Sequence, residues 1–319
     1  MLNGSITNKL KKMNLSIKQL IVILSAFLCV HSLKAQQESM YSQYMFNLLQ
    51  INPAYAGNLA NDNITVLCRK QWVGTSGSPA TASLSWDSRV EGSNVGYGLQ
   101  MYNDRLGIES TSGFQAFYSY RIPFRKSFLS FGLNAGVLYY RAAFSTVATT
   151  QNGDPLFQED VSNFLPTVGV GALYATEHWY AALSVPALLK TKVNANNSLY
   201  TTSANNHYFL TGGYIFDASE SVKLKPSVLL KAVKGAPLET DLNLNVWLQN
   251  IVGLGVSYRT GDSFVGMFEI QVSPVFRLGY AYDYTISNLQ PYSKGTHELM
   301  LRYEINHRKE QRVLSPRYY

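Results

Sequence analysis

The sequence predicts an all-β protein, a transmembrane antiparallel β-barrel of about 14 strands. Three observations carry this expectation. From residue 63 onward, apolar side chains alternate with small or polar ones, in segments of the roughly ten residues that a tilted strand needs to cross a bilayer. Charged residues make up only 15% of the chain and tyrosines number 22, whereas soluble domains average about 25% charged. Mean hydropathy is −0.07, and no run after the first 35 residues approaches the about 20 apolar residues of a membrane helix.

Residues 1–35 read as a cleaved signal peptide. Lys9, Lys11, Lys12 and Lys18 form a basic head, and Leu20 to Val30 a short apolar stretch. Leu33-Lys34-Ala35 before Gln36 is the expected cleavage site, although Leu33 is larger than the small residue preferred there. Cys29 lacks the small-residue context of a lipidation site. The whole chain has 27 basic and 20 acidic residues, but five lysines and no acids precede Gln36, which leaves 22 against 20. The high isoelectric point therefore belongs mostly to the leader and gives no support for nucleic-acid binding. Cys68 is the one cysteine left after cleavage, so neither a disulfide framework nor a Cys/His metal spacing exists.

Residues 36–62 form a separate segment. Tyr44, Met45, Phe46, Leu48, Leu49, Ile51 and Tyr55 carry more apolar surface than a free linker holds. Asn52-Pro53 favours a turn, and Gly57 can take a positive φ before the first strand. The segment is expected to dock in or against the barrel.

The barrel is assigned to residues 63–307. Its expected strands are 63–73, 80–89, 94–103, 113–122, 127–140, 166–175, 178–187, 206–216, 221–232, 238–249, 252–260, 263–273, 276–286 and 296–306. Residues 80–89 set Ala82, Leu84 and Trp86 outward and Thr81, Ser83, Ser85, Asp87 and Arg89 inward. Residues 221–232 alternate Val222, Leu224, Val228 and Leu230 with Lys223, Lys225, Ser227 and Lys231. Lysines facing lipid cost several kcal/mol near the midplane, so they mark the inner wall. Long connections near 141–165, 188–205 and 287–295 follow odd-numbered strands, and tight turns at 176–177 and 217–220 follow even ones. The short connection 261–262 departs from that parity. Inward charges of both signs, among them Arg69, Asp87, Arg121, Glu269, Arg277, Asp283, Glu298 and Arg302, predict a salt-linked lumen. Glycine pairs such as Gly96/Gly98 and Gly169/Gly171 mark inner-wall positions that exclude bulk or admit another backbone. Residues 308–319 form a basic tail placed in the periplasm.

Catalysis has little support. His207 and His297 are the candidate bases, but no Gly-x-Ser-x-Gly elbow presents a nucleophile, and no phosphate loop or metal motif is present. No cofactor is expected.

Ser42-Gln43-Tyr44-Met45-Phe46-Asn47, then Asn52-Pro53-Ala54-Tyr55-Ala56-Gly57, then Arg69-Lys70-Gln71-Trp72-Val73-Gly74 resemble the head of the PorP/SprF family. Ser78-Pro79-Ala80-Thr81 and the closing Ser315-Pro316-Arg317-Tyr318 also resemble it, while Leu48 stands where a proline often follows the asparagine. The resemblance implies a non-enzymatic outer-membrane protein of the type IX secretion system of Bacteroidetes. It implies as partners the outer-membrane lipid, other secretion components, and an exported surface adhesin or its C-terminal domain, with secretion, surface retention and gliding motility as outcomes. Ser42, Gln43, Tyr44, Asn47, Asn52, Pro53, Tyr55, Gly57, Arg69, Gln71 and Trp72 become the candidate plug or partner-docking residues. The competing reading is a diffusion or uptake channel for a small solute, which requires an open lumen. A barrel enzyme acting on lipid is a third.

Overall fold

The computed structural model describes residues 40–59, 62–147, 159–189, 192–194, 201–203 and 206–305. The signal segment, the tail from 308, and most of the connection after residue 147 lie outside the described residues.

Among the described residues, seventeen strands follow in order: β1 (Asp62–Lys70), β2 (Ala80–Arg89), β3 (Val95–Leu106), β4 (Glu109–Pro123), β5 (Ser127–Ala142), β6 (Val161–Thr176), β7 (Trp179–Val185), β8 (Lys192–Asn194), β9 (Thr201–Ser203), β10 (His207–Tyr214), β11 (Phe216–Ser219), β12 (Val222–Val233), β13 (Glu239–Leu248), β14 (Val252–Arg259), β15 (Ser263–Gln271), β16 (Phe276–Thr285) and β17 (Thr296–Ile305). β8 and β9 pair only with each other as a small hairpin, and β10 and β11 act as one wall strand, so the wall has 14. Every neighbouring pair is antiparallel, and β1 closes the barrel on β17 from Asp62↔Ile305 to Lys70↔His297. Closure removes the open edges that a bilayer would not tolerate.

The alternation holds around the wall. Leu84, Met101, Leu133, Leu244, Val256 and Leu299 point outward, and Ser83, Ser85, Gln100, Asn134, Asn243 and Asn245 are buried on the inner face. Outward aromatics gather in two rings. Trp86/Tyr97, Tyr174/Trp179, Tyr214/Phe216 and Phe276/Tyr303 pair at the tight-turn end, with centroids 5.2, 5.2, 4.4 and 4.8 Å apart. Tyr139/Phe164 and Tyr258/Phe264, both at 4.9 Å, with Tyr282/His297 at 5.2 Å, lie at the other end. An apolar band between two aromatic girdles is the outer surface of a membrane barrel.

Two expectations are corrected. β1 stops at Lys70, so Gln71 and Trp72 leave the strand. Trp72 takes φ 46°, and Val73 makes two backbone bonds to the loop before β17 (Val73 N–H to Gly295 O 2.9 Å, Lys294 N–H to Val73 O 2.8 Å). The strand expected to end at residue 216 continues to Ser219 beyond a break at Ile215. There the Ile215 N–H donates to His178 O at 2.6 Å, one rung beyond the last β10–β7 pair, while the register with β12 runs on unchanged from Gly213↔Ser227 to Phe216↔Leu224, and the turn falls at Glu220-Ser221. The connection 260–262 stays the exception expected of it: it is short, although β14 is the eleventh wall strand and its exit lies at the mouth with the long loops.

Candidate functional site

The lumen holds the chain from Met40 to Asn58, folded as three single 3-10 turns, Tyr44–Phe46, Leu48–Gln50 and Pro53–Tyr55. The last begins as the sequence suggests. Asn52 is extended, its side-chain oxygen accepts the Ala54 N–H at 2.9 Å, and Pro53 occupies the first position, where no N–H is needed. Gly57 has φ 61°, and a Cβ there would strike the Ser88 carbonyl and Gly96.

An irregular backbone buried in a barrel must find partners for its polar groups. The inner wall supplies them. The N–H groups of Ser42 and Gln43 donate to the two oxygens of Glu298, both at 2.8 Å. Ser42 Oγ donates to Asp283 at 2.6 Å. Arg69 ties the group together, with Nη1 on Ser42 Oγ at 2.7 Å and Glu298 at 3.0 Å, and Nη2 on Asp283 at 2.8 Å. Farther along, Ser184 Oγ donates to Ile51 O at 2.5 Å, Ser130 Oγ to Ala54 O at 2.9 Å and Ser119 Oγ to Ala56 O at 2.7 Å. Near the tight-turn mouth the Gly57 N–H donates to Asp87 at 3.1 Å, and Arg89 donates to Gly57 O at 2.8 Å.

Side chains add a second set of ties. Asn243 donates to the Tyr44 hydroxyl at 2.7 Å, Asn47 donates to Ser85 at 2.8 Å, and Asn52 donates to Ala172 O and Leu183 O at 3.2 and 3.3 Å. Tyr44, Met45, Leu48, Ile51, Ala54 and Tyr55 pack in one cluster with inward Phe128, Leu173, Tyr180, Phe209, Leu229 and Met267. Burying such a side chain contributes about 1.5–3 kcal/mol, and a net hydrogen bond about 0.5–1.5 kcal/mol. The apolar anchors therefore carry the larger share, and the hydrogen bonds fix the path.

Nine of the candidate residues, Ser42, Gln43, Tyr44, Asn47, Asn52, Pro53, Tyr55, Gly57 and Arg69, meet in this assembly. Gln71 and Trp72 do not. They sit in the loop after β1, where the Trp72 N–H donates to Thr296 Oγ1 at 3.2 Å and Thr75 Oγ1 to Tyr292 O at 2.9 Å, joining two outer loops. The inward apolar bed was missed. Its signal lies in runs where neighbours on both faces are apolar, as in Val228-Leu229-Leu230 and Ala172-Leu173-Tyr174.

Several inner-wall charges are paired. Arg277 bridges Glu269 and Glu304, both at 2.8 Å, and Arg259 contacts Asp241 at 3.1 Å and Glu239 at 3.6 Å. Lys223 is the exception in position. It pairs with Asp217 at the tight-turn mouth, half-exposed, while Lys225 and Lys231 are buried in the wall. His297 lies on the outward face with Nδ1 2.7 Å from the Tyr280 hydroxyl, and His207 stacks on Phe209 at 6.2 Å. Among the described residues, no group of three His, Cys, Asp or Glu is arranged to hold a metal.

A closed 14-strand barrel with this outer surface is an outer-membrane β-barrel, and here its lumen is occupied by the chain's own N-terminal segment. The chain belongs to the family of the type IX secretion system membrane protein PorP/SprF, whose model matches residues 33–303. No curated protein matches it. Among solved structures it is similar to the CymD monoaromatic hydrocarbon channel (TM-score 0.50, 11% identity, 86% of this chain and 95% of that one). It is also similar to the Ralstonia pickettii toluene transporter TbuX (TM-score 0.48, 9% identity, 86% and 95%) and to Acinetobacter baumannii Omp33 (TM-score 0.45, 8% identity, 77% and 99%). At such identities the likeness is one of fold.

Proposed function

We propose that the protein is a non-enzymatic accessory barrel of type IX secretion. It binds an exported surface protein, an adhesin engaged through its C-terminal domain, or the translocon itself, and supports its secretion or its retention at the surface, including retention of adhesins used in gliding. The observation that carries this reading is the occupied lumen. A solute channel needs a continuous water path, and here the segment from Ser42 to Gly57 is tied to β1, β2, β4, β5, β7, β13, β16 and β17. Family membership supplies the secretion context.

The test is a mild-detergent pull-down of the tagged protein from outer membranes, with mass spectrometry of what accompanies it. A large exported protein or a translocon subunit is expected. The Asn52→Ala/Tyr55→Ala variant, which removes the turn cap and one apolar anchor, is expected to reduce that recovery at least tenfold, equivalent to about 1.4 kcal/mol. A barrel that emerges alone and conducts ions in a planar bilayer would replace this reading with the channel.

A further inference from the structure

The register sets the outward side chains of neighbouring strands in rows. Three successive rows across β5, β4, β3, β2 and β1 mark the passage out of the hydrocarbon toward the long-loop mouth. The first, Val137, Phe114, Met101, Leu84 and Val66, is apolar throughout. The second is Tyr139, Ser112, Asn103, Ala82 and Cys68, with the girdle tyrosine at one end and Asn103 Nδ2 donating to Ser112 Oγ at 2.9 Å. The third is Arg141, Ser110, Arg105, Ala80 and Lys70, continued on β17 by His297. Its side chains lie about 7 Å along the strands beyond the girdle row, in the headgroup layer.

The charges of this third row have one sign. Lys70 and Arg105 are exposed, and so is Lys294 in the loop before β17, whose N–H donates to Val73 O at 2.8 Å just past the end of β1. The acids of the same strand ends, Asp104, Glu109 and Glu298, occupy the alternate positions and face the lumen. Arg141, at the far end of the row, is compensated by Asp160 at 2.9 Å. Among the described residues no carboxylate forms an ion pair with Lys70, Arg105 or Lys294. The tight-turn rim differs. Its exposed charges, Glu91, Arg125, Lys126, Glu177 and Glu220, mix both signs.

The spacing suits a single oxyanion. Lys70 and Arg105 stand two strands apart, about 10 Å at the backbone, and Ala80 between them contributes only a methyl group. Lys70 Nζ donates to Ser78 O at 2.9 Å, which holds the ammonium at the rim and leaves it two further N–H groups. Arg105 brings the planar fork that matches a phosphate. In the outer leaflet of a bacterial outer membrane, the oxyanion at this depth is the headgroup phosphate of a glucosamine-based lipid. Its acyl chains would lie along the first row. We propose that Lys70, Arg105 and Lys294 seat the phosphate of one such lipid, of the lipid A class, with its acyl chains against Leu84, Met101 and Phe114.

The full-length barrel in mild detergent is titrated with monophosphoryl lipid A and with the same lipid after removal of its phosphate, and bound lipid is counted by native mass spectrometry. Wild type is expected to prefer the phosphorylated lipid at least tenfold, each basic residue contributing about fivefold. Lys70→Gln/Arg105→Gln/Lys294→Gln should lose the preference while binding the phosphate-free lipid as wild type does. Arg105→Gln alone, which leaves the Lys70 bond to Ser78 in place, should lower the preference about fivefold. Arg125→Gln/Lys126→Gln at the tight-turn rim should leave it unchanged. Excess inorganic phosphate should not compete, because it lacks acyl chains to place on the wall. Equal binding of the two lipids by wild type would overturn the proposal. So would a preference that survives the triple substitution, one that disappears with the tight-turn pair, or displacement of the lipid by inorganic phosphate.

Discussion

Replacing Gly132 by leucine is expected to expel the N-terminal segment from the lumen and to raise the conductance of the barrel in a planar bilayer above that of wild type. Gly132 faces inward on β5, and a Cβ built there falls inside the contact radius of the Pro53 carbonyl carbon and the Ala54 nitrogen and Cα. Over-packing costs about 1–3 kcal/mol where flexible side chains can give way. Here every atom met is backbone. That backbone is pinned by the Asn52 cap and by Ser130 on Ala54 O at 2.9 Å. Gly171, the register partner of Gly132 on β6, lies under the Asn52 side chain, so there is no room for a sideways shift. The whole turn has to lift, taking Tyr55 out of its cluster. Gly266→Leu is the control, because a Cβ at Gly266 meets nothing within 4 Å and points to lipid. Conductance and proteolysis of residues 40–58 are expected to rise in the first variant and stay at wild-type level in the second. A Gly132→Leu barrel as closed and protease-resistant as wild type would mean that the segment does not rest on β5.

The sheet was legible because two solvents act on it. Lipid on one side and a lined lumen on the other force period-two alternation, so Leu84 against Ser83, or Leu244 against Asn243 and Asn245, reads directly from the chain. Buried Lys225 and Lys231 identify the inner face of β12 for the same reason. Local breaks were not legible. Nothing around Ile215 signals that the wall strand runs on past it to Ser219. The same holds for Trp72, whose loop is shaped by its bonds to Thr296 and to the loop before it. The segment itself was visible as surplus apolar surface followed by Asn-Pro and Gly, which is local information. Its anchors were not, because Glu298 and Asp283 lie 256 and 241 positions from Ser42. A single sequence shows that the lumen mixes charges of both signs but not which pairs form. Only the barrel register decides that Arg69 stands opposite Glu298 across β1 and β17.

Removing the guanidinium of Arg69 is expected to have the largest effect on stability of any single substitution at this site. Arg69, Asp283 and Glu298 are all buried, with side chains 2%, 3% and 0% exposed. A buried ion pair adds little net stability over an apolar replacement of the same shape, but breaking one from a single side leaves a charge with no compensation and costs about 3–5 kcal/mol. Arg69→Met strands two carboxylates. Glu298 keeps the N–H groups of Ser42 and Gln43, and Asp283 keeps the Ser42 hydroxyl, but neither keeps a cation in direct contact, since Arg259 stands 4.0 Å from Asp283. Arg69→Lys is expected to fall between, because one ammonium cannot reach both carboxylates and Ser42 Oγ with the fork geometry of the guanidinium. Arg69→Met/Glu298→Gln removes one stranded charge along with its partner and should recover part of the loss. Wild type, Arg69→Met, Glu298→Gln and the double variant make a double-mutant cycle, read as urea midpoints of the detergent-solubilised barrel, and a coupling above about 1 kcal/mol is expected for groups in direct contact. Because Ser42 and Gln43 hang on the same carboxylate, Arg69→Met should also expose residues 40–47 to protease before the wall unfolds. Equal midpoints for Arg69→Met and wild type, with no added cleavage, would show that the apolar bed alone holds the segment and that the charged group is incidental to it.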